Sequence, residues 1–555
     1  MKNLILRLSV AIFALSVLVL FADAQTRTET FAITNAQIAT VSGPNLSRGT
    51  IVIRNGLIES VGENAKVPAD ARIIDGTGLI VYPGFFDTYT SLGLSSPTTP
   101  RPAVPGQPAQ QAQQIQVTQP QSNSNYPDGL QPEEAVVEQL RAGEAQFETN
   151  RNAGFTTVLT VPRDGIFNGQ SAVINLAGDS VSSMILRAPF AEHITFTTLR
   201  TGGFPTSIMG TFAAIRQIFL DAQRLQEIRK IYDKNPRGIK RPETDKSLEA
   251  VIPILNREMP IVFNANSEIE IIRALDLARE FNLKAIIAGG QEAWKVAARL
   301  KAQNVPVLLS LNYPKRTAAA SPEADAESLE ILRLRAETPK GAARLAQAGV
   351  KFAFQSGGMQ NINDFLTNAN KSVEGGLAKD AAIRAMTLSA AEILGVDNRL
   401  GSLEAGKIAN LTVSRGDILA KDKTITHVFV DGKLFEQKEK PKTPATAATG
   451  AQPSALAQVG GTYSITVEVP GQPLPGTLTL TQQEAILTGN LQTQLGNVPI
   501  KDGKVTAEGF SFSATVEFGG STVELVATGR VTGNQISGTM TTPQGAVPFS
   551  GTKTP

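Results

Sequence analysis

A carboxylate and two hydroxyl groups follow one short apolar strand in this sequence. In "VYPGFFDTYTSLGL", residues 81–94, a Pro-Gly turn leads through the strand to Asp87, and Tyr89 and Ser91 occupy the next two alternate positions. Alternate residues of a strand face the same side, so these side chains are expected to point into one site. Hydrolysis at a metal centre needs imidazole nitrogens or carboxylate oxygens there, because such ligands hold the ion that activates water. Of the three residues, only Asp87 offers such a ligand.

Imidazole and thiolate ligands are scarce throughout the chain. The 555 residues include two histidines, His193 and His427, and no cysteine. His427 lies in "ITHVFVDGK", and His193 in "EHITFTT" is interpreted as a strand residue that serves packing or hydrogen bonding. A Ser-His-Asp triad meets the same shortage, and Gly-Gln-Ser at 169–171 lacks the second glycine of a nucleophile elbow. Thiolate chemistry and a cluster of imidazoles are therefore excluded.

A metal site built only from oxygen ligands stays open as an alternative. The carboxylates that could contribute to it are Asp87, Glu268, Glu270, Glu292 and Asp364. Only Asp87 follows the candidate strand, whereas charged residues on helices usually form solvated faces. Asp87 also has a second interpretation, as a turn aspartate that accepts backbone hydrogen bonds.

Two patterns of sequence predict the elements that must position these side chains. Residues 30–80 consist of short alternating segments separated by Asn-Gly and Gly-rich turns, which predicts strands joined by hairpins. From about 83 to 396, apolar runs such as "FTTVLTV", "PIVFNAN" and "PVLLSLN" alternate with helical stretches. This order is typical of parallel β/α units, and over roughly 300 residues it predicts an α/β fold with a TIM-like (β/α)8 barrel.

Two segments of low complexity interrupt this order. Residues 95–129 are rich in Pro, Gln and Ser, and residues 436–458 in Pro, Ala and Thr, compositions that do not build packed elements. The first is predicted to be a loop after the first barrel strand, and the second a linker. Residues 459–555 then alternate in short segments with glycine turns, which predicts an antiparallel β-barrel or β-sandwich.

The N-terminal residues have the pattern of a secretory signal. Lys2 and Arg7 precede an apolar run that ends in Ala-Asp-Ala at 22–24, so residues 1–24 are predicted to be a signal peptide and the protein to be exported, periplasmic or extracellular. No later segment is long and apolar enough to span a bilayer. The 52 basic and 50 acidic residues are spread along the chain, which argues against nucleic acid as a partner.

Several separated motifs resemble the amidohydrolase superfamily. They are "NGLIESVG", "IIDGTGLIVYPGFFD", "RLGSLEAGKIANLTV" and "ITHVFVDGK", in the order that the family has them. Its members hydrolyse mostly carbon–nitrogen bonds at a metal site inside a β/α barrel. The resemblance implies that residues 25–81 and 401–435 form one flanking β-sandwich beside a barrel of residues 82–400.

The resemblance also implies where metal ligands should lie, and the sequence departs from the family there. Histidines and one aspartate of the family are replaced by hydroxyl, amide or glycine residues. These positions are Tyr89 and Ser91 on the first strand, Asn264 and Asn266 in "NANSEIEIIRAL", Gly289 in "IIAGGQEA" and Gly357 in "FAFQSGG". Such groups are poor ligands for the divalent metal, such as zinc, that the family usually binds. No cofactor is predicted.

Two functional hypotheses follow. The first is a hydrolase of carbon–nitrogen bonds other than peptide bonds, which the family implies by analogy. The second is a catalytically inactive barrel kept as a binding or assembly module, with Tyr89, Asn264 and Asn266 lining a site for a small polar molecule. The histidine count favours the second hypothesis for the mechanism.

Overall fold

The structure, a computed structural model, describes twelve stretches of the chain. They are residues 29–94, 126–143, 145–178, 180–199, 204–315, 327–436, 457–469, 472–493, 496–506, 509–518, 521–542 and 545–554. The predicted signal peptide and most of the predicted loop and linker lie outside them. The chain divides into two compact units, Met1–Glu439 and Lys440–Pro555. No helix of the described stretches is long and apolar enough to cross a membrane.

The first unit begins with five strands. They are β1 (Phe31–Ile38), β2 (Leu46–Arg54), β3 (Leu57–Gly62), β4 (Arg72–Asp75) and β5 (Leu79–Pro83). The strands β1, β2 and β3 pair antiparallel in succession, as predicted. The prediction of hairpins is wrong for β4 and β5, because both return to pair parallel with β1. Asn55 and Gly56 connect β2 to β3 with φ angles of 52° and 79°. A two-residue hairpin turn of type I′ requires positive φ at both central positions, and Asn-Gly adopts this conformation readily.

The next ten strands of the described chain form two sheets. They are β6 (Phe85–Thr90), β7 (Phe155–Thr160), β8 (Phe167–Gln170), β9 (Ala172–Asn175), β10 (Ile185–Arg187), β11 (Glu192–Thr195), β12 (Ile261–Ala265), β13 (Ala285–Gly289), β14 (Val307–Ser310) and β15 (Phe352–Gln355). One sheet has the order β10-β9-β7-β6 and the other β15-β14-β13-β12-β11-β8. Neighbours pair in parallel from β11 to β15 and between β6 and β7, but β8 and β9 each pair antiparallel with their neighbours.

The two sheets surround one apolar core. Thr88 Oγ1 donates to the Phe354 carbonyl at 2.9 Å, which places β6 beside β15. At the other margin only Ser171 separates β8 from β9, and its amide donates to the Ala191 carbonyl at 2.9 Å. Strand side chains from both sheets meet in a buried inner cluster of Phe86, Leu159, Val173, Val262, Ile286, Ala288, Leu308 and Ala353. The antiparallel β8 and β9 are a departure from the purely parallel strands that the sequence predicts.

Helices lie between many of these strands along the chain, singly or in succession. They are α1 (Val136–Gln139), α2 (Ala145–Asn152), α3 (Val181–Met184), α4 (Ile208–Lys234), α5 (Lys246–Leu255), α6 (Glu268–Glu280), α7 (Ala297–Ala302), α8 (Leu329–Glu337), α9 (Gly341–Gln347), α10 (Asp364–Glu374), α11 (Lys379–Met386) and α12 (Leu388–Leu394). Helix α6 begins with a capping box, in which the Ser267 hydroxyl and the Glu270 carboxylate each accept from the other residue's amide. Its residues Ile271, Leu275 and Ala278 are buried at the spacing of one helix face.

Three strands that follow α12 complete the sheet that contains β1 to β5. They are β16 (Leu411–Arg415), β17 (Thr424–Val430) and β18 (Lys433–Glu436), and β16 pairs antiparallel with β5. The sheet order is β18-β17-β16-β5-β1-β2-β3, with β4 paired to β1. Tyr82 Oη accepts a hydrogen bond from the Ile418 amide at 3.4 Å, although the two residues are 336 positions apart. One sheet is thus assembled from both ends of the first unit.

The second unit is a closed antiparallel barrel, which confirms the β module predicted from the sequence. Its strands are β19 (Gly461–Val469), β20 (Gln472–Gln483), β21 (Ile486–Thr493), β22 (Gly496–Val505), β23 (Phe510–Phe518), β24 (Ser521–Thr532), β25 (Gln535–Thr542) and β26 (Gly545–Lys553). Each strand pairs with the next, and β26 pairs with β19. Tyr463, Leu478, Phe512 and Ile536 are among the side chains of its buried core.

Candidate functional site

Asp87, in the middle of β6, accepts a hydrogen bond from the backbone just after β15. The side chain is 1% exposed, and its Oδ1 accepts from the Ser356 amide at 2.9 Å and from the Tyr89 amide at 3.4 Å. Burial raises the pKa of Asp87 to about 6, although the hydrogen bonds favour the charged form and oppose this rise. One of its two oxygens is thereby committed to the backbone.

Tyr89 lies beside His193 in the first unit. Its ring contacts the His193 ring edge-on, with centroids 5.7 Å apart, and His193 Nε2 is 2.8 Å from Ser171 Oγ. Burial lowers the pKa of His193 to about 3 and raises that of Tyr89 to about 12, so both are neutral near pH 7. His193 Nδ1 is buried and has no hydrogen-bond partner among the described residues.

Asn264 and Asn266 have different surroundings at the end of β12. Asn264 shares the strand face of Val262, which belongs to the inner cluster, whereas Phe263 packs on the outer side. Asn266, just beyond the strand, approaches Gly289 of the neighbouring β13. A Cβ atom added to Gly289 would lie 2.5 Å from Asn266 Oδ1, and the φ of Gly289 is +93°. A side chain at this position would be strained by the positive φ, and the Asn266 amide would have to move aside.

Gly357 is enclosed in a similar way after β15. Its φ is +59°, and an added Cβ atom would overlap the Ser310 hydroxyl. Asn312 Nδ2 donates to the Gly357 carbonyl at 3.1 Å, which holds the turn in place. Gln355 Nε2 donates to the Leu308 carbonyl at 3.0 Å, while Gln355 Oε1 is buried without a partner among the described residues.

Ser91 stands apart from the other candidate positions. It lies half-buried in the turn after β6, where its carbonyl accepts from the Leu94 amide at 3.3 Å. Within the described residues, no hydrogen bond joins its hydroxyl to Tyr89, Asn264 or Asn266. The structure therefore groups the candidates into three local pairs: Asp87 with Tyr89, Asn266 with Gly289, and Gly357 with the Ser310 hydroxyl.

The remaining carboxylates of the oxygen-only alternative serve helix ends and ion pairs. Glu270 Oε2 accepts from the Asn266 and Ser267 amides at 2.9 and 3.0 Å. Glu292 Oε2 accepts from the Glu268 amide at 2.8 Å, and Asp364 pairs with Lys315 at 2.9 Å. These contacts are those of capping and surface side chains.

Two polar residues near the site were missed in the sequence, and a third, Ser171, was considered only as a nucleophile. Ser310 and Gln355 end β14 and β15, and Ser171 separates β8 from β9. A usable signal was present for the first two, since each is a polar residue that closes a short apolar run. Ser171 gave no such signal, because its contact with His193 depends on pairing between β8 and β11.

The residues at this end of the strands do not fit a divalent metal. The described stretches contain no group of three or more His, Cys, Asp or Glu that could hold one. Tyr89 is neutral because its pKa is raised, and His193 Nε2 is bound to Ser171. Gly289 and Gly357 offer no side chain, and their positive φ angles would strain any other residue. The family's metal chemistry therefore has no donor set here.

Comparison with known proteins agrees with this architecture. An amidohydrolase from Thermotoga maritima MSB8 superposes with a TM-score of 0.61 at 24% identity, over 73% of this chain and 100% of its own. Molinate hydrolase is 17% identical, with a TM-score of 0.42, and the match covers 77% of this chain and 98% of its own. A dihydropyrimidinase from Brevibacillus agri NCHU1002 is 12% identical, with a TM-score of 0.40, and the match covers 73% of this chain and 94% of its own. No curated protein matches this sequence. The sequence matches the amidohydrolase family over residues 80–435, so the chain belongs to that family.

Proposed function

We propose that this protein is a metal-independent member of the amidohydrolase family that binds a small polar molecule at the carboxyl ends of its α/β strands. The proposal includes a TIM-like (β/α)8 barrel in which β8 and β9 together take one strand position. Support for the barrel comes from the shared inner cluster, from the contact of β6 with β15, and from the similarity in fold to the Thermotoga maritima protein.

The proposal that the protein works without a metal depends on the backbone conformation at Gly289 and Gly357. Both glycines have positive φ, and Asn266 and Ser310 occupy the space that a ligand side chain would need. A side chain other than glycine is strained at such φ angles. The positive φ at both glycines therefore supports the proposal that no metal ligand is supplied from these two positions.

The chemistry of the ligand follows from the groups that lack partners. Gln355 Oε1 and His193 Nδ1 are buried and unpaired among the described residues. An unpaired buried acceptor is costly, and a donor from a bound molecule relieves that cost. A neutral compound that carries amide-type N–H groups matches these acceptors and the amides of Asn264 and Asn266.

Asp87 favours a second candidate function, hydrolysis of carbon–nitrogen bonds without a metal. A carboxyl with a pKa of about 6 is suited to act as a general base near neutral pH. Its burial and its hydrogen bonds to the Ser356 and Tyr89 amides favour the structural role instead. We rank this hydrolase below the binding protein for that reason. Export to the periplasm or the medium, from the N-terminal signal pattern, is part of either proposal.

Elemental analysis of the dialysed full chain tests the proposal. We expect no stoichiometric zinc, nickel, manganese or iron, and no chelator-sensitive hydrolysis of amides, ureas or hydantoins. The same classes of compound, including dihydrouracil, should be screened for a rise in thermal stability that Asn264→Ala removes. One or two metal equivalents, together with an amidase activity that chelators abolish, would refute it.

A further inference from the structure

A cleft lies at the opposite end of the same strands from the candidate site. It has a volume of about 360 Å³ and is lined by residues that precede β14 and β15 and by residues of α7, α11 and α12. Because β14 and β15 are four residues long, roughly 13 Å of strand separates this cleft from the site described above. The two sites are therefore distinct.

The charges around this cleft do not balance. Its lining includes three cations, Lys301, Lys351 and Arg384, and one carboxylate, Glu392. Lys351 Nζ lies 2.9 Å from Glu392 Oε2, and Arg384 Nη2 lies 2.6 Å from Glu392 Oε1. A single carboxylate thus serves two cations, and the lining carries a net charge of two positive units.

Lys301 is the cation without a counter-charge. Its Nζ donates to the Gly349 carbonyl at 2.7 Å, and no carboxylate of the described stretches pairs with it. The Ser389 hydroxyl, on α12, is also in the lining and adds a neutral donor. Leu300, Val350 and Phe352 supply apolar wall between these polar groups.

We propose that this cleft binds a small organic anion, in which a carboxylate or phosphate monoester is attached to an apolar body. Ammonium and guanidinium groups donate charge-assisted hydrogen bonds to such oxyanions, and Arg384 adds a planar fork suited to them. The apolar wall distinguishes an organic anion from inorganic phosphate, because it removes apolar surface of the ligand from water. The proposal is independent of the metal-free site at the other end of the strands.

Isothermal titration calorimetry on the full chain tests it with defined probes. Phenyl phosphate and benzoate are the organic anions, inorganic phosphate lacks the apolar body, and benzyl alcohol lacks the charge. We expect at least one organic anion to bind more tightly than inorganic phosphate and benzyl alcohol, with an affinity that falls as salt rises. Lys301→Gln and Lys351→Gln should each weaken that binding about five- to tenfold.

Lys284→Gln is the matched control. Lys284 is exposed at the amino end of β13, and its replacement changes the net charge equally without touching the lining. Thermal unfolding of each variant checks that the fold is retained. Equal loss of binding in Lys284→Gln, unchanged binding in both cleft variants, equal affinity for benzyl alcohol, or the absence of binding by either organic anion would overturn the proposal.

Discussion

Replacement of His193 by glutamine should make the first unit less sensitive to acid. Burial lowers the pKa of His193 from 6.5 to about 3, so between these values the unfolded chain binds a proton that the folded chain does not. Stability conferred by the neutral ring therefore falls as the pH falls through this window. At 1.36 kcal/mol for each pH unit, the loss is about 2 kcal/mol between pH 7.5 and pH 5 and approaches about 5 kcal/mol near pH 3.

Urea denaturation at pH 7.5 and pH 5 measures this difference. The single tryptophan, Trp294, lies in the first unit with Arg344 4.0 Å above its ring, so its fluorescence reports on that unit. We expect wild-type protein to lose about 2 kcal/mol more than His193→Gln over this pH interval. The raised pKa values of Asp87 and Glu192 act in the opposite direction and cancel in the comparison.

His427→Gln is the control for this experiment. His427 lies on β17, half-buried, and burial lowers its pKa less strongly. Its replacement should leave most of the acid sensitivity in place. Parallel stability curves for wild type and His193→Gln would refute the reasoning, because they would mean that the ring is protonated inside the folded unit.

Three further predictions concern the same unit. Gly289→Ala should lower the free energy of unfolding by about 1–3 kcal/mol, because alanine is strained at φ +93° and meets Asn266. Urea titration measures this loss. Gly62→Ala is the control and should cost less, because Gly62 lies in open space at an ordinary φ. Asp87→Asn should remove the fall in stability that the raised pKa imposes as pH increases from 4 to 6, and an unchanged pH profile of the unfolding free energy would contradict this. Ser267→Ala should cost about 1 kcal/mol in urea by removing the cap of α6, and a loss below a few tenths would show that the Glu270 half of the box suffices.

Local sequence signals were sufficient for much of the framework. Asn55-Gly56 marks a hairpin because its backbone conformation is a property of the two residues themselves. The alternating segments after residue 459 likewise carry the period of a strand, and the structure closes them into a barrel. The direction of β8 and β9 could not be obtained in this way. A buried strand has the same apolar run whether its neighbours are parallel or antiparallel to it.

The candidate site was harder to predict because its geometry depends on neighbouring strands. The sequence reveals that histidines are missing at 89, 91, 264 and 289, and this depends only on residue identity. It does not reveal that Asn266 fills the space beside Gly289, since that contact joins the ends of two separate strands. The unpaired Gln355 Oε1 and His193 Nδ1 are equally non-local, because a buried group lacks a partner only in a particular packing.

The hydrogen bond between Tyr82 and Ile418 joins two parts of the chain that are synthesised at different times. Ile418 is 336 positions after Tyr82, and at 5–20 residues per second a ribosome needs on the order of half a minute to synthesise that length. Throughout that interval β5 has no β16 beside it, and the edge of the first sheet exposes unpaired backbone groups. The entropy of closing so long a loop grows only logarithmically with its length, so the finished sheet loses little stability from this arrangement. The cost is kinetic: the N-terminal strands must avoid pairing with other nascent chains until the last strand of the unit has been translated.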